Sequence, residues 1–137
     1  MSILFHNEDV KSPKIKKQLV KNWIKSVIAS EGKQLGDVNY IFCSDEYLLQ
    51  VNKQYLNHDY YTDIITFDYV KEGLISGDIF VSVDRIEENG KQYGSGFDAE
   101  LSRILVHGIL HLIGFGDKTP QEKKIMTGKE DQYLAIF

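Results

Sequence analysis

The stretch of the chain best equipped for chemistry is Val106-His107-Gly108-Ile109-Leu110-His111-Leu112-Ile113-Gly114-Phe115-Gly116-Asp117. Two of the four histidines fall inside it, four residues apart. On a helix that spacing puts both rings on one face, about 6 Å apart along the axis, where they can share one ion. Gly114 lets the chain turn back, and Asp117 follows three residues later with a carboxylate where a third ligand belongs. The pattern His-x3-His-x2-Gly-x2-Asp has the spacing of the zinc-protease signature. Three protein ligands leave a fourth position for water, the arrangement of catalytic rather than structural zinc. Zinc is the expected ion, one per chain, and nickel or iron suits the same donors. The plainer alternative is a partly buried histidine pair with backbone partners and a glycine that merely ends a helix. One protease residue is missing: Gly108 stands where zinc peptidases carry their general-base glutamate.

These residues need a helix to present them. Leu101, Ile104, Leu105, Ile109 and Leu112 recur at helical spacing from Asp98, and Gly114 closes the run. Thr119-Pro120-Gln121-Glu122 reads as a fresh helix start, running towards Leu134. Upstream, Ser2 to His6 reads as a strand, and Pro13 suits the first turn of a helix carrying Ile15, Leu19, Trp23 and Val27 up to Gly32. Asp37 to Cys43 reads as a strand, and Ser44 or Asp45 caps a helix through Leu48 and Val51. Asn57 to Tyr61 reads as a loop. Asp63 to Tyr69 and Gly77 to Ser82 read as adjacent strands around a Gly73 to Ser76 turn, followed by a helix from Val83 to about Gln92. The irregular mixture predicts an α+β fold with a small mixed sheet of about four strands and a metal-binding helix near the C-terminus.

Composition narrows the class. The chain has 137 residues, 42% hydrophobic and 26% charged, so one domain over residues 1–137 is expected, with a core that needs no metal to hold it. Cys43 stands alone, which excludes a disulfide-stapled module. Met1 to Glu8 lacks the pattern of a signal peptide, and no run approaches the ~18 apolar residues of a membrane span, so a cytoplasmic protein without a membrane partner is expected. The formal charge of −4 runs against a nucleic-acid binder, yet six lysines and no acid lie between Lys11 and Lys25.

The string His107-Gly108-x-Leu110-His111-Leu112-x-Gly114-Phe115, with Thr62-Asp63-Ile64-Ile65-Thr66-Phe67 and Gly77-Asp78-Ile79, resembles the YbeY family over nearly the whole chain. These are bacterial single-strand-specific metallo-endoribonucleases of ribosome maturation. The resemblance implies a zincin-like fold and one zinc ion. It also implies action on single-stranded rRNA in 3′-end maturation of the small-subunit (16S) rRNA and in ribosome quality control, with the small ribosomal subunit and an Era-like GTPase as partners. The sequence departs from the family at two places. Asp117 stands at the third-ligand position, where the commonest pattern has histidine; a carboxylate oxygen is an ordinary zinc ligand at ~2.0–2.2 Å. Leu56 stands where the family carries an arginine, and leucine cannot bind phosphate.

Two residues offer substitutes for that arginine. Arg103, four residues before His107, shares its helical stripe and would clamp a scissile phosphate; its other expected role is a salt bridge to Glu100 or Asp98. His58 would contribute a proton or a phosphate contact, or stand as a solvated loop residue. Asp59 and Asp63 match family positions around the loop; either would orient a metal-bound water, and the other expected role of Asp63, which precedes a strand, is to cap or turn the chain. His6 matches no motif and is expected to be structural. Tyr60, Tyr61, Phe67 and Tyr69 are expected to pack on the sheet or to stack on unpaired bases. Two other functions compete with the nuclease: a small zinc metallopeptidase, favoured by the ligand spacing and opposed by Gly108, and a non-catalytic ribosome-assembly factor with a structural metal site, suggested by Leu56.

Overall fold

Nine elements follow one another in the computed structural model, which describes residues 1–137: β1 (Ser2–Asn7), α1 (Lys17–Ser30), β2 (Gln34–Cys43), α2 (Asp45–Leu56), β3 (Ile64–Asp68), β4 (Leu74–Ser82), α3 (Val83–Gln92), α4 (Phe97–Ile113) and α5 (Pro120–Leu134). The strands form one sheet in the order β1-β2-β4-β3. β1 and β4 run parallel to β2, and β3 runs antiparallel to β4 as an edge strand. The α+β class and the four-stranded mixed sheet expected from the sequence are what the chain adopts.

Side-chain alternation along the strands assigns the two faces. Val38, Tyr40 and Phe42 of β2, with Ile75, Ile79 and Val81 of β4, pack with α1, α4 and Met126 and Tyr133 of α5 in one continuous core. Cys43 and Ile65 turn to the other face and pack with Leu48 and Val51 of α2. The central member is α4, in which Leu101, Ile104, Leu105, Val106, Ile109, Leu110 and Leu112 are all buried. A helix apolar over most of its circumference must be enclosed on several sides. Tyr40 ties it to β2 by donating its hydroxyl to the Leu105 carbonyl at 2.8 Å.

Gly108 is where α4 touches the sheet. A β-carbon there would lie 2.9 Å from Ile79 Cγ2 and 3.1 Å from Ile64 Cδ1, so only glycine admits this approach without displacement.

Three boundaries differ from the sequence expectation. Pro13 does not open α1, which starts at Lys17, because the preceding segment crosses from β1 in an irregular path with Val10 and Ile15 packed against the core. β2 begins at Gln34 and β4 at Leu74, since Gln34 and Leu35 pair with Leu74 and Ile75 before a register shift. The turn between β3 and β4 is thereby tighter, with Glu72 and Gly73 both at positive φ. The starts of α2 and α5 are met as expected: Ser44 accepts from the Tyr47 amide, and Thr119 and Glu122 form a reciprocal capping box.

Candidate metal centre

His107 and His111 project from one side of the last turns of α4, next to β3. At Gly114, with φ of 124°, the helix ends, and the amides of Gly114 and Phe115 close on the Leu110 carbonyl. This reversal brings Asp117 back towards the histidines two residues before the Thr119 cap starts α5. His107 Nε2 and His111 Nε2 are 3.0 Å apart, and Asp117 Oδ2 lies 3.3 Å from the first and 3.4 Å from the second. A tetrahedral ion with bonds of ~2.0–2.1 Å has its ligands about 3.3–3.4 Å apart. The three donors therefore form one face of such a tetrahedron, and their chemistry, two imidazoles and a carboxylate, suits zinc.

The other nitrogen of His107 is also occupied. Its Nδ1 lies 2.6 Å from a carboxylate oxygen of Glu130, whose side chain is only 8% exposed. A carboxylate cannot donate, so Nδ1 carries the proton and the Nε2 lone pair faces Asp117 and His111. The remaining Glu130 oxygen accepts from Arg103 Nη1 at 2.6 Å, and Arg103 Nη2 donates to Asp131 at 2.6 Å.

The surroundings pull the two imidazoles apart. Burial would lower the pKa of His107, but Glu130, Asp117 and Asp63 outweigh it, so it stands above the usual histidine value. Burial and the neighbouring His107 hold His111 below that value. Asp63 is raised above the ordinary carboxylate value, chiefly by burial, with His107 opposing.

A polar cleft of about 320 Å³ opens over the donors, lined by Thr62, Asp63, Ile64, Thr66, His107, His111 and Asp117. Among the residues singled out in the sequence, this cleft gathers His107, His111, Asp117 and Asp63. Arg103 faces α5 and pairs with Glu130 and Asp131 rather than with Glu100 or Asp98. His58 lies outside the cleft lining, stacked on Tyr60 and hydrogen-bonded to its hydroxyl at 3.0 Å. Asp59 pairs with Lys53 at 3.4 Å. His6 bonds Asn39 across the sheet at 3.0 Å. Tyr61 sits under the Arg85 guanidinium, and Phe67 packs edge-on to Tyr55 and Phe80 on the sheet face away from the donors.

Glu130 escaped the sequence reading. Its one signal is position: Met126, Glu130 and Tyr133 form the buried stripe of α5, so a carboxylate occupies a core position four residues after a buried methionine.

Comparison with known proteins bears on the family of the whole chain. The family model described as Endoribonuclease YbeY matches residues 4–137. A protein of Bacteroides thetaiotaomicron named Endoribonuclease YbeY is 54% identical over 136 residues, 99% of each chain. Another of that name, from Parabacteroides distasonis, is 52% identical over 137 residues, covering all of this chain and 96% of its own. The solution structure of TM1509 from Thermotoga maritima superposes with a TM-score of 0.69 at 28% identity, covering 97% of this chain and 87% of that one. With the motif, the fold and near full-length identity in agreement, the chain belongs to the YbeY family.

Proposed function

We propose that residues 1–137 act as one metal-dependent endoribonuclease domain that cuts single-stranded rRNA during 3′-end maturation of the small-subunit rRNA and in ribosome quality control. The observation that carries this reading is the donor triangle of His107, His111 and Asp117 in an open polar cleft of a YbeY-family chain. Those three residues would hold zinc, with nickel or iron as the competing ions for the same donors. When bound, the ion supplies Lewis acidity towards a phosphate oxygen and acidifies water.

The chain's own groups do the rest. Asp63, at the entrance to β3, lines the cleft beside the donors and would orient the attacking hydroxyl and take its proton at a carboxylate oxygen. Thr66 lines the same wall, and its hydroxyl would donate to a substrate oxygen, whereas the Thr62 hydroxyl donates to the Ile64 carbonyl at 3.3 Å. His58 would act only on a part of the RNA that extends beyond the cleft. The small ribosomal subunit and an Era-like GTPase are the partners the family suggests, and the cytoplasm is the matching location; no helix is long and apolar enough to cross a membrane.

Gly108 disfavours the peptidase alternative. A glutamate there would drive its β-carbon into Ile79 and Ile64. Incubation of the metal-loaded protein with labelled single-stranded RNA and with unstructured casein tests the reading. RNA cleavage abolished by chelator and restored by zinc is the expected result. Casein cleavage would replace it with a peptidase. Binding to small subunits without cleavage of RNA would leave the assembly-factor alternative standing.

A further inference from the structure

Arg103 shares a helical stripe with the two histidine ligands, yet its guanidinium is turned to α5. One arm donates to Glu130 and the other to Asp131, each at 2.6 Å. Glu130 in turn receives His107 Nδ1 at 2.6 Å on its other oxygen. A continuous chain of charge-assisted hydrogen bonds thus runs Asp131, Arg103, Glu130, His107, and ends on a donor of the metal centre. We propose that Arg103 is a positioning residue of that centre, acting through Glu130. This proposal rests on the metal-site reading above, but not on the identity of the substrate.

The physical case starts with Glu130. Its side chain is 8% exposed, and a carboxylate so far from water persists only where its oxygens are matched by donors and its charge is balanced. His107 supplies one donor and Arg103 the other, and Arg103 brings the only permanent positive charge in the chain of contacts. Without it, the Glu130 side chain loses the partner that sets its rotamer, and the carboxylate faces the His107 ring alone. The ring needs that carboxylate in place, because the Nδ1 contact fixes both its orientation and the tautomer that leaves Nε2 free for the ion. Asp131 is 60% exposed and works from outside, holding the second arm of the guanidinium so that the first points inward. The planar fork of arginine spans both carboxylates at once; lysine, with a single ammonium, cannot reproduce it.

This assignment differs from a phosphate clamp in a measurable way. A clamp acts on RNA and leaves the ion indifferent. A positioning residue acts on the ion before any RNA is present.

The experiment measures zinc affinity by chelator competition, and the visible absorption of the cobalt-substituted protein, for wild type, Arg103→Met, Arg103→Lys, Glu130→Gln and the double variant Arg103→Met/Glu130→Gln. Loss of a partner behind a metal-bound histidine costs 10–100-fold in affinity, so Glu130→Gln is expected in that range and Arg103→Met at about tenfold, with an altered cobalt spectrum. The double variant should be no weaker than Glu130→Gln alone, because both act through one contact. Arg103→Lys keeps the charge and guards against a folding defect; it should fall between wild type and Arg103→Met. Wild-type zinc affinity in both Arg103 variants, with an unchanged cobalt spectrum, would overturn the proposal while leaving the metal site intact, and a selective rise in KM for RNA in those variants would then identify a clamp. Additive losses in the double variant would also overturn it. Failure of the wild-type protein to bind zinc or cobalt would remove the metal-site reading, and the proposal with it.

Discussion

Lys129 places its ammonium 3.0 Å from Glu31, joining α5 to the residue that ends α1, one position before the glutamate that holds His107. The Tyr133 hydroxyl donates to the same carboxylate, and the Lys129 ammonium also lies 5.4 Å from the centre of the Phe115 ring. The helix behind the metal centre is therefore anchored to α1 and to the turn that carries Asp117.

That anchor makes stability depend on pH at both extremes. Burial would raise the Glu31 pKa, but Tyr133 and Lys129 together outweigh it and hold it below its ordinary value of 4.5. A lowered carboxylate stabilises the fold above its unfolded pKa and loses that contribution as pH falls through the folded value. Tyr133 is pushed the other way, up to about 12, by burial and by its bond to Glu31. Its contribution is complete below about pH 10, the unfolded value, and is lost as pH rises towards 12. Urea unfolding from pH 3 to 12 should show both losses. Glu31→Gln should lower stability at pH 7 by about 1–3 kcal/mol and flatten the acid limb below pH 4.5.

Ligand substitutions should separate the metal from the fold. His107→Ala and His111→Ala are expected to abolish zinc retention and RNA cleavage together. Asp117→His, which puts an imidazole at the third donor position, should retain the ion. Metal analysis of the purified proteins beside an RNA cleavage assay decides this, and full zinc content in either alanine variant would disprove the ligand assignment.

Gly108 should tolerate nothing larger. Forcing a methyl group against Ile79 and Ile64 is an overpacking change, expected to cost about 1–3 kcal/mol and to lower Tm by several degrees. Calorimetry of Gly108→Ala measures it. Gly108→Glu should be less stable still and should gain no activity on casein.

RNA binding should be weak and steeply dependent on salt. The chain carries a formal charge of −4, its Lys11 to Lys25 segment is basic, and Lys129 is already paired with Glu31. A protein of this balance gains most of its attraction for free RNA from a few lysines, and that term falls as salt rises. Filter binding to single-stranded RNA from 50 to 200 mM salt should show the decline. Nanomolar affinity at physiological salt would contradict this expectation of weak binding.

Much of the architecture could be read directly because its signals are local. The helical period of α4, the Gly114 stop, the Ser44 cap and the Thr119 capping box depend on residues a few positions apart, and each is where short-range hydrogen bonding puts it. The start of α1 is not legible in this way: Pro13 is compatible with a first turn, but the packing of Val10 and Ile15 outweighs that preference and the helix begins at Lys17. The full lengths of β2 and β4 are not legible locally either, because Gln34 and Leu74 become strand residues only by pairing with each other across the sheet.

The same division runs through the site. The meeting of His107, His111 and Asp117 is legible from local pattern, since a helix of known pitch and one reversing glycine suffice to bring them together. Tertiary structure alone decided the roles of the residues around them. It turned Arg103 towards Glu130 and Asp131, left His58 stacked on Tyr60 outside the cleft, and set a buried carboxylate from α5 against the far nitrogen of His107. The contacts that Arg103 and His107 make with α5 join residues 27, 28 and 23 positions apart through the packing of two helices, and a spacing rule carries no information about which side chains such packing will bring face to face.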